Sequence, residues 1–131
     1  MEINRVFVYG TLMSGMGNHH LIKPFLKGMR PGKTEGILYD LPYGYPAVIP
    51  GKGIVHGEIM ELRDIGKSLQ VLDRLEGYRE GCAGNPYNRV VQVVETVDGA
   101  KMPAYLYIWG MPEEIEEQGA IVPGGDWRRL P

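Results

Sequence analysis

The residues best suited to chemistry sit on a helix, in a glycine-rich loop, and at scattered histidines and a lone cysteine. Between Asp64 and Tyr78, a helical period puts Ile65, Leu69 and Leu72 on one apolar stripe, and the next position on that stripe is Glu76. Burial on this face and the negative end of the helix dipole both disfavour a charged carboxylate, so the Glu76 pKa is expected to rise. A glutamate of that kind suits proton transfer near neutral pH. On the helix alone, the simpler reading is a frayed end whose glutamate reaches water. The loop Gly10-Thr-Leu-Met-Ser-Gly-Met-Gly-Asn18 follows a strand, and its backbone N–H groups could turn towards an anion or carboxylate. Gly15 and Gly17 lack the third glycine of a dinucleotide fingerprint and no Gly-Lys-Ser/Thr follows, which leaves either a cradle for a small polar ligand or an ordinary turn. His19 and His20 are adjacent and diverge on any regular element, and His56 is remote, so no metal site is expected. Cys82 has no neighbouring histidine to activate it and reads as incidental.

These residues need elements to hold them. Asp64 is a candidate N-cap for the helix, and Gly77 suits the left-handed residue that ends it. Arg5 to Tyr9 is β-branched and aromatic and predicts a strand near the core. Leu21 to Leu26 suggests a short helix capped by Asn18 and limited by Pro24. Strands are expected over Thr34 to Leu41, Ala47 to Ile49 and Ile54 to Leu62, with turns at Pro42 to Pro46 and Pro50 to Gly53. Tyr43 and Tyr45 read as core-edge packing residues. Tyr87 to Val97 alternates, Asp98-Gly99 supplies a two-residue hairpin turn, and Met102 to Trp109 returns with both faces covered. Pro112 to Gln118 predicts one short helical segment, and beyond Val122 the Gly and Pro content argues against an element, with Trp127 available to dock the segment.

Composition bounds the rest. The 131 residues suit one domain, 1–131, and the absence of an internal repeat or linker agrees. With 19 Gly and 10 Pro beside 44% apolar residues, the chain leans towards a β-rich or α+β fold. Its 14 basic and 16 acidic residues form no run of one sign, so nucleic acid is not an expected partner. A single cysteine and no long apolar segment predict a cytoplasmic protein without disulfide or membrane span.

Two separated motifs then make a pattern. Val6-Phe-Val-Tyr-Gly-Thr-Leu12 with Asn18-His19, and Leu72-Asp-Arg-Leu-Glu-Gly-Tyr78 with Tyr87-Asn-Arg89-Val-Val-Gln-Val93, together resemble the gamma-glutamylcyclotransferase-like family. Gly36 to Asp40, Tyr45 to Ala47 and Val55 to Glu58 look like its gamma-glutamylamine cyclotransferase branch, and the resemblance runs from Val6 to about Trp109. It implies a compact, mostly antiparallel β-barrel flanked by a few short helices. It also implies cyclisation of a gamma-glutamyl amine or peptide to 5-oxoproline, with release of the amine and without metal or cofactor. The family's catalytic glutamate falls on Glu76 and its substrate-holding loop on Tyr9, Gly10, Thr11 and Leu12. A pocket tyrosine falls on Tyr107, with Tyr105 on the same face. The alternatives are a non-catalytic binder of small ligands on the same fold and a partner-binding domain using the acidic segment Glu113 to Glu117. The oligomeric state and the identity of the leaving amine are not encoded in these motifs.

Overall fold

The computed structural model describes residues 2–129. Strand β1 (Arg5–Val8) is flanked by β3 (Tyr45–Leu62), antiparallel with Arg5 opposite Glu61, and by β5 (Lys101–Trp109), parallel with Val6 opposite Tyr105. Strand β5 pairs antiparallel with β4 (Tyr87–Thr96), which meets β2 (Leu26–Leu41) through Gly32 and Lys33. Strand β2 pairs with β3, which closes the ring β3-β1-β5-β4-β2 into a barrel of five strands. Alternation sorts their side chains. Phe7, Val55, Ile59, Val94, Ala104 and Leu106 fill one buried cluster with Leu38 and Val48, while Val6, Val8, Met60, Leu62 and Tyr107 face another. That second cluster is covered by α2 (Ile65–Glu76), whose Ile65, Leu69 and Leu72 are all buried. The expected mostly antiparallel barrel with flanking helices is therefore present.

Local expectations mostly hold where the signal is local. The Asp64 carboxylate accepts the Lys67 N–H at 3.2 Å, and Gly77 ends α2 at φ 72°. Alternating faces on β4 leave Val91 and Val93 exposed and bury Val94 and Thr96. The hairpin loop is Val97-Asp98-Gly99, one residue longer than expected, because Thr96 still pairs with Ala100 and Gly99, at φ 90°, supplies the left-handed residue of a three-residue loop.

Larger departures come from the β2–β3 hairpin. It is one continuous pair of 16 and 18 residues, and Pro50 to Gly53 is a bulge within it rather than a turn between strands. Glu35 faces Ile54 while Ile37 faces Ile49, so four residues of β3 lie against Gly36 alone. The predicted short helix divides into α1 (His19–Ile22) and a 3₁₀ turn, Lys23–Phe25. Asn18 precedes α1 without a side-chain capping bond, having turned its amide to Thr11. Pro112–Glu114 forms a 3₁₀ turn that runs into α3 (Ile115–Gln118). The segment read as elementless adds β6 (Ala120–Ile121) to β2, followed by 3₁₀ turns at Pro123–Gly125 and Trp127–Arg129. Trp127 packs against both main clusters and so docks this segment, as expected. Among the described helices, none is long and apolar enough to cross a membrane.

Candidate active site

Where β1 ends, the chain turns away from the ladder and the end of α2 lies over it. Between them is a cavity of about 150 Å³ walled by Tyr9, Gly10, Thr11, Leu12, Asn18, Tyr45, Pro46, Leu75, Glu76, Tyr87 and Tyr107, with Phe7 and Val8 at its base. Every residue assigned from the sequence to catalysis or substrate holding is on this wall. Tyr107 lines the cavity and Tyr105 does not; Tyr105 stacks under the Arg89 guanidinium, 5.5 Å from its ring centre.

Glu76 is half-buried, and its carboxyl makes no hydrogen bond or ion pair among the described residues. Burial raises its pKa from 4.5 to about 7. The helix end is not frayed, since α2 runs intact to Glu76 and stops at Gly77. The glutamate is held in the last turn of α2 by Asp73, one turn earlier, whose carboxylate accepts the Tyr107 hydroxyl at 2.6 Å and the Arg89 guanidinium at 2.6 Å. These bonds clamp the helix end to the β4–β5 hairpin. The Tyr78 N–H donates to the Asp73 carbonyl at 2.9 Å and completes the helix stop at Gly77.

Around Glu76, three phenols have their protons committed elsewhere. Tyr9 donates to the Tyr107 carbonyl at 2.5 Å, Tyr87 to the Pro46 carbonyl at 2.6 Å, and Tyr107 to Asp73. Burial first, and the nearby Glu76 second, push Tyr9 and Tyr87 upward; burial and the bond to Asp73 do the same for Tyr107. All three stay protonated near neutral pH; with their protons given to protein acceptors, Tyr87 and Tyr107 keep a lone pair on oxygen, whereas the Tyr9 oxygen also accepts from the Val48 backbone N–H.

The glycine-rich loop supplies the opposite polarity. The N–H groups of Met13, Ser14, Met16 and Asn18 are spent inside the protein, on Gly10 O, the Glu58 carboxylate, Met13 O and Thr11 O. Those of Gly10, Thr11 and Leu12, which wall the cavity, make no hydrogen bond among the described residues. The loop is pinned by Asn18 to Thr11 Oγ1 at 3.0 Å, by His19 to the Leu12 carbonyl at 3.0 Å, and by Ser14 Oγ to Glu58 at 2.8 Å. Glycine is required at position 10 because a Cβ there would overlap the Pro46 ring. Hydrogen-bond acceptors and unpaired backbone donors thus line the same small cavity. Among the described residues no three of His, Cys, Asp or Glu converge as they would around a metal.

Sequence reasoning missed Tyr45, Pro46, Leu75 and Tyr87 as cavity residues. Tyr45 was read as core-edge packing, yet it is 59% exposed at the mouth of the cavity, because the 3₁₀ turn Pro42–Gly44 delivers it there rather than into the core. The side chain of Tyr43 lies outside the described residues. Tyr45-Pro46 and Tyr87 do fall inside the motifs that carried the family resemblance, which was the available signal; Leu75 had none beyond standing next to Glu76. Cys82 is exposed and is not one of the residues that wall the cavity.

The sequence profile of the family described as gamma-glutamyl cyclotransferase, AIG2-like, matches residues 6–129. A Vibrio cholerae protein provisionally named a gamma-glutamylcyclotransferase is 34% identical over 123 residues, covering 93% of each chain. The gamma-L-glutamyl-butirosin B gamma-glutamyl cyclotransferase of Niallia circulans is 28% identical over 125 residues, covering 95% of this chain and 75% of its own. Among solved structures, YkqA from Bacillus subtilis matches with a TM-score of 0.71 at 25% identity, covering 97% of this chain, which spans only 40% of YkqA. These matches take in the loop, the helix and the hairpin that wall the cavity, and the chain belongs to the gamma-glutamyl cyclotransferase, AIG2-like family.

Proposed function

We propose that this protein cyclises a gamma-glutamyl amine or peptide to 5-oxoproline and releases the free amine, with Glu76 as the proton carrier. The observation that carries the reading is the burial of Glu76, with its pKa near 7, on the wall of a cavity that is also lined by hydrogen-bond acceptors and by unpaired backbone amides. Membership of the family and the names of the relatives support gamma-glutamyl cyclotransferase-type activity.

The glutamyl group of such a substrate carries both an alpha-amine and an alpha-carboxylate. Lone pairs on Tyr87 and Tyr107 and the Glu76 carboxylate suit the amine, whereas the amides of Gly10, Thr11 and Leu12 suit an anion: the alpha-carboxylate, or the oxyanion that develops on the gamma-carbonyl. In the reaction, the neutral alpha-amine attacks the gamma-carbonyl carbon. A new C–N bond closes the five-membered ring, and the carbonyl electrons move onto oxygen. Glu76 takes the proton that the attacking nitrogen sheds. The carbonyl re-forms, the original C–N bond breaks, and Glu76 returns the proton to the departing nitrogen. Nucleophile and electrophile belong to one molecule, so the protein contributes chiefly by holding the folded conformer, which can be worth about 7–11 kcal/mol. Exposed, unpaired Cys82 accords with work in a reducing cytoplasm.

Product analysis in isotopically heavy water tests this reading. The expected first product is unlabelled 5-oxoproline, with no turnover when the alpha-amine is acetylated. Labelled glutamate as the first product, or turnover of the acetylated compound, overturns the reaction type and the role of Glu76. Silence across a broad panel of gamma-glutamyl compounds supports a binding protein instead.

A further inference from the structure

A second concavity begins where the cavity ends. It is an open groove of about 620 Å³, and four of its wall residues, Tyr45, Leu75, Glu76 and Tyr87, also wall the smaller cavity. The rest of its wall is Leu41, Pro42, Arg74, Gly77, Pro86 and Trp109, so that apart from Arg74 and Glu76 it carries no charged residue. The groove is built by the stop of α2. Gly77, at φ 72°, lets Pro86 pack so closely that a Cβ at position 77 would meet its ring at 2.8 Å, and the Trp109 ring stands edge-on to Tyr87 at 5.3 Å.

We infer that this groove receives the substituent of the departing amine, and that the preferred substrates are gamma-glutamyl derivatives of amines bearing an extended apolar chain or ring. The inference rests on the cyclotransferase reading above. Glu76 has to reach both the attacking and the departing nitrogen, so the scissile bond lies beside it. The two halves of the substrate then diverge from that point. The smaller cavity is of the size that elsewhere holds one benzene-sized group and is walled by the polar set, so it takes the glutamyl half. The amine half is left with the groove that shares Glu76 with that cavity, a trough of proline, leucine and aromatic rings. Each added methylene buried there favours the transition state, because the scissile bond cannot sit beside Glu76 without laying the chain along the groove.

The test uses the full-length protein and gamma-glutamyl derivatives of unbranched primary amines from methyl to hexyl, which differ little in basicity, with 1,4-diaminobutane as a cationic counterpart. The expected result is a kcat/KM that rises at least about tenfold from methyl to hexyl, with the diamine well below the butyl compound. Pro42→Glu and, separately, Leu75→Glu place a carboxylate on the groove wall. Each is expected to abolish the chain-length trend and to raise the diamine relative to the butyl compound. A flat series in the wild type, or a trend that survives both substitutions, overturns the groove assignment. Absence of 5-oxoproline from every member instead overturns the cyclotransferase reading. In that case calorimetric affinities for the same series decide the groove separately: binding that tightens with chain length upholds it, and binding that does not overturns it.

Discussion

The raised pKa of Glu76 predicts a stability cost that can be measured. Its pKa is about 7 in the folded protein against an ordinary value near 4.5, so between these limits the folded state binds more protons than the unfolded state. Stability therefore falls as pH rises through that window, the reverse of a salt-bridged carboxylate. At pH 8 the charged, buried Glu76 costs the fold on the order of 3 kcal/mol. Glu76→Gln keeps the shape without the charge, and in denaturant titrations it should be more stable than the wild type at pH 8 by up to that amount and indistinguishable at pH 4. Its turnover should fall by about 10²–10⁴-fold. In the wild type, kcat/KM should climb with pH through about 7 as Glu76 ionises. A Gln variant with full turnover, or an acid limb unmoved by the substitution, removes Glu76 from the mechanism.

Two connecting segments set the geometry at the scale of elements. The loop after β1 must pass under Pro46, and Gly10 is where a side chain would collide with that ring. Gly10→Val should therefore displace the amides of Gly10 to Leu12 from the substrate, and misplacement near 1 Å can lower kcat/KM by about 10²-fold. Thermal unfolding of the same variant separates the effects, since lost stability with unchanged affinity would return the loop to an ordinary turn. The segment after α2 is built around buried Asn85. Its side-chain oxygen accepts the Arg79 N–H at 3.2 Å, and its amide donates to the Arg79 and Cys82 carbonyls at 3.1 Å and to Asn88 at 3.2 Å. Asn85→Ala strands these partners and should cost about 1–3 kcal/mol. Because Pro86 and Tyr87 follow directly, turnover should fall with it even at temperatures where the variant is fully folded. Unchanged kinetics would show that this segment only closes the chain.

The arrangement of the whole molecule makes these segments interdependent. The barrel closes only when β1, near the start of the chain, inserts between β3 and β5, and Arg128, near the other end, bonds to Ser14 O at 2.6 Å and lies 3.3 Å from Glu58. We accordingly read residues 1–131 as one domain. Trp109 and Trp127 pack in different regions of the structure, so their fluorescence and the far-ultraviolet circular dichroism should report one coincident unfolding transition. Separated transitions would divide the chain into units and withdraw that reading.

What the chain specified by itself were the features decided by near neighbours. Helix α2 follows from a period, a capping aspartate and a stopping glycine; the β4–β5 hairpin follows from alternation and an Asp-Gly turn; Glu76 stood out because it broke a stripe. The family motifs extended this to the barrel and to the loop, and Tyr9 to Leu12, Glu76 and Tyr107 do meet on one wall. Tertiary structure decided what depends on residues distant in the chain. Pro50 to Gly53 carries every local sign of a turn, yet pairing on either side of it with β2 turns it into a bulge. The parallel contact of β1 with β5 joins residues about a hundred positions apart, and no local pattern encodes it. Tyr45 and Tyr87 could equally have been core aromatics; they border the cavity because barrel closure sets their strands beside the end of α2. Burial, too, is a tertiary quantity: the stripe on α2 marked Glu76 as misplaced, but only the surrounding strands and loop supply the desolvation that carries its pKa to about 7.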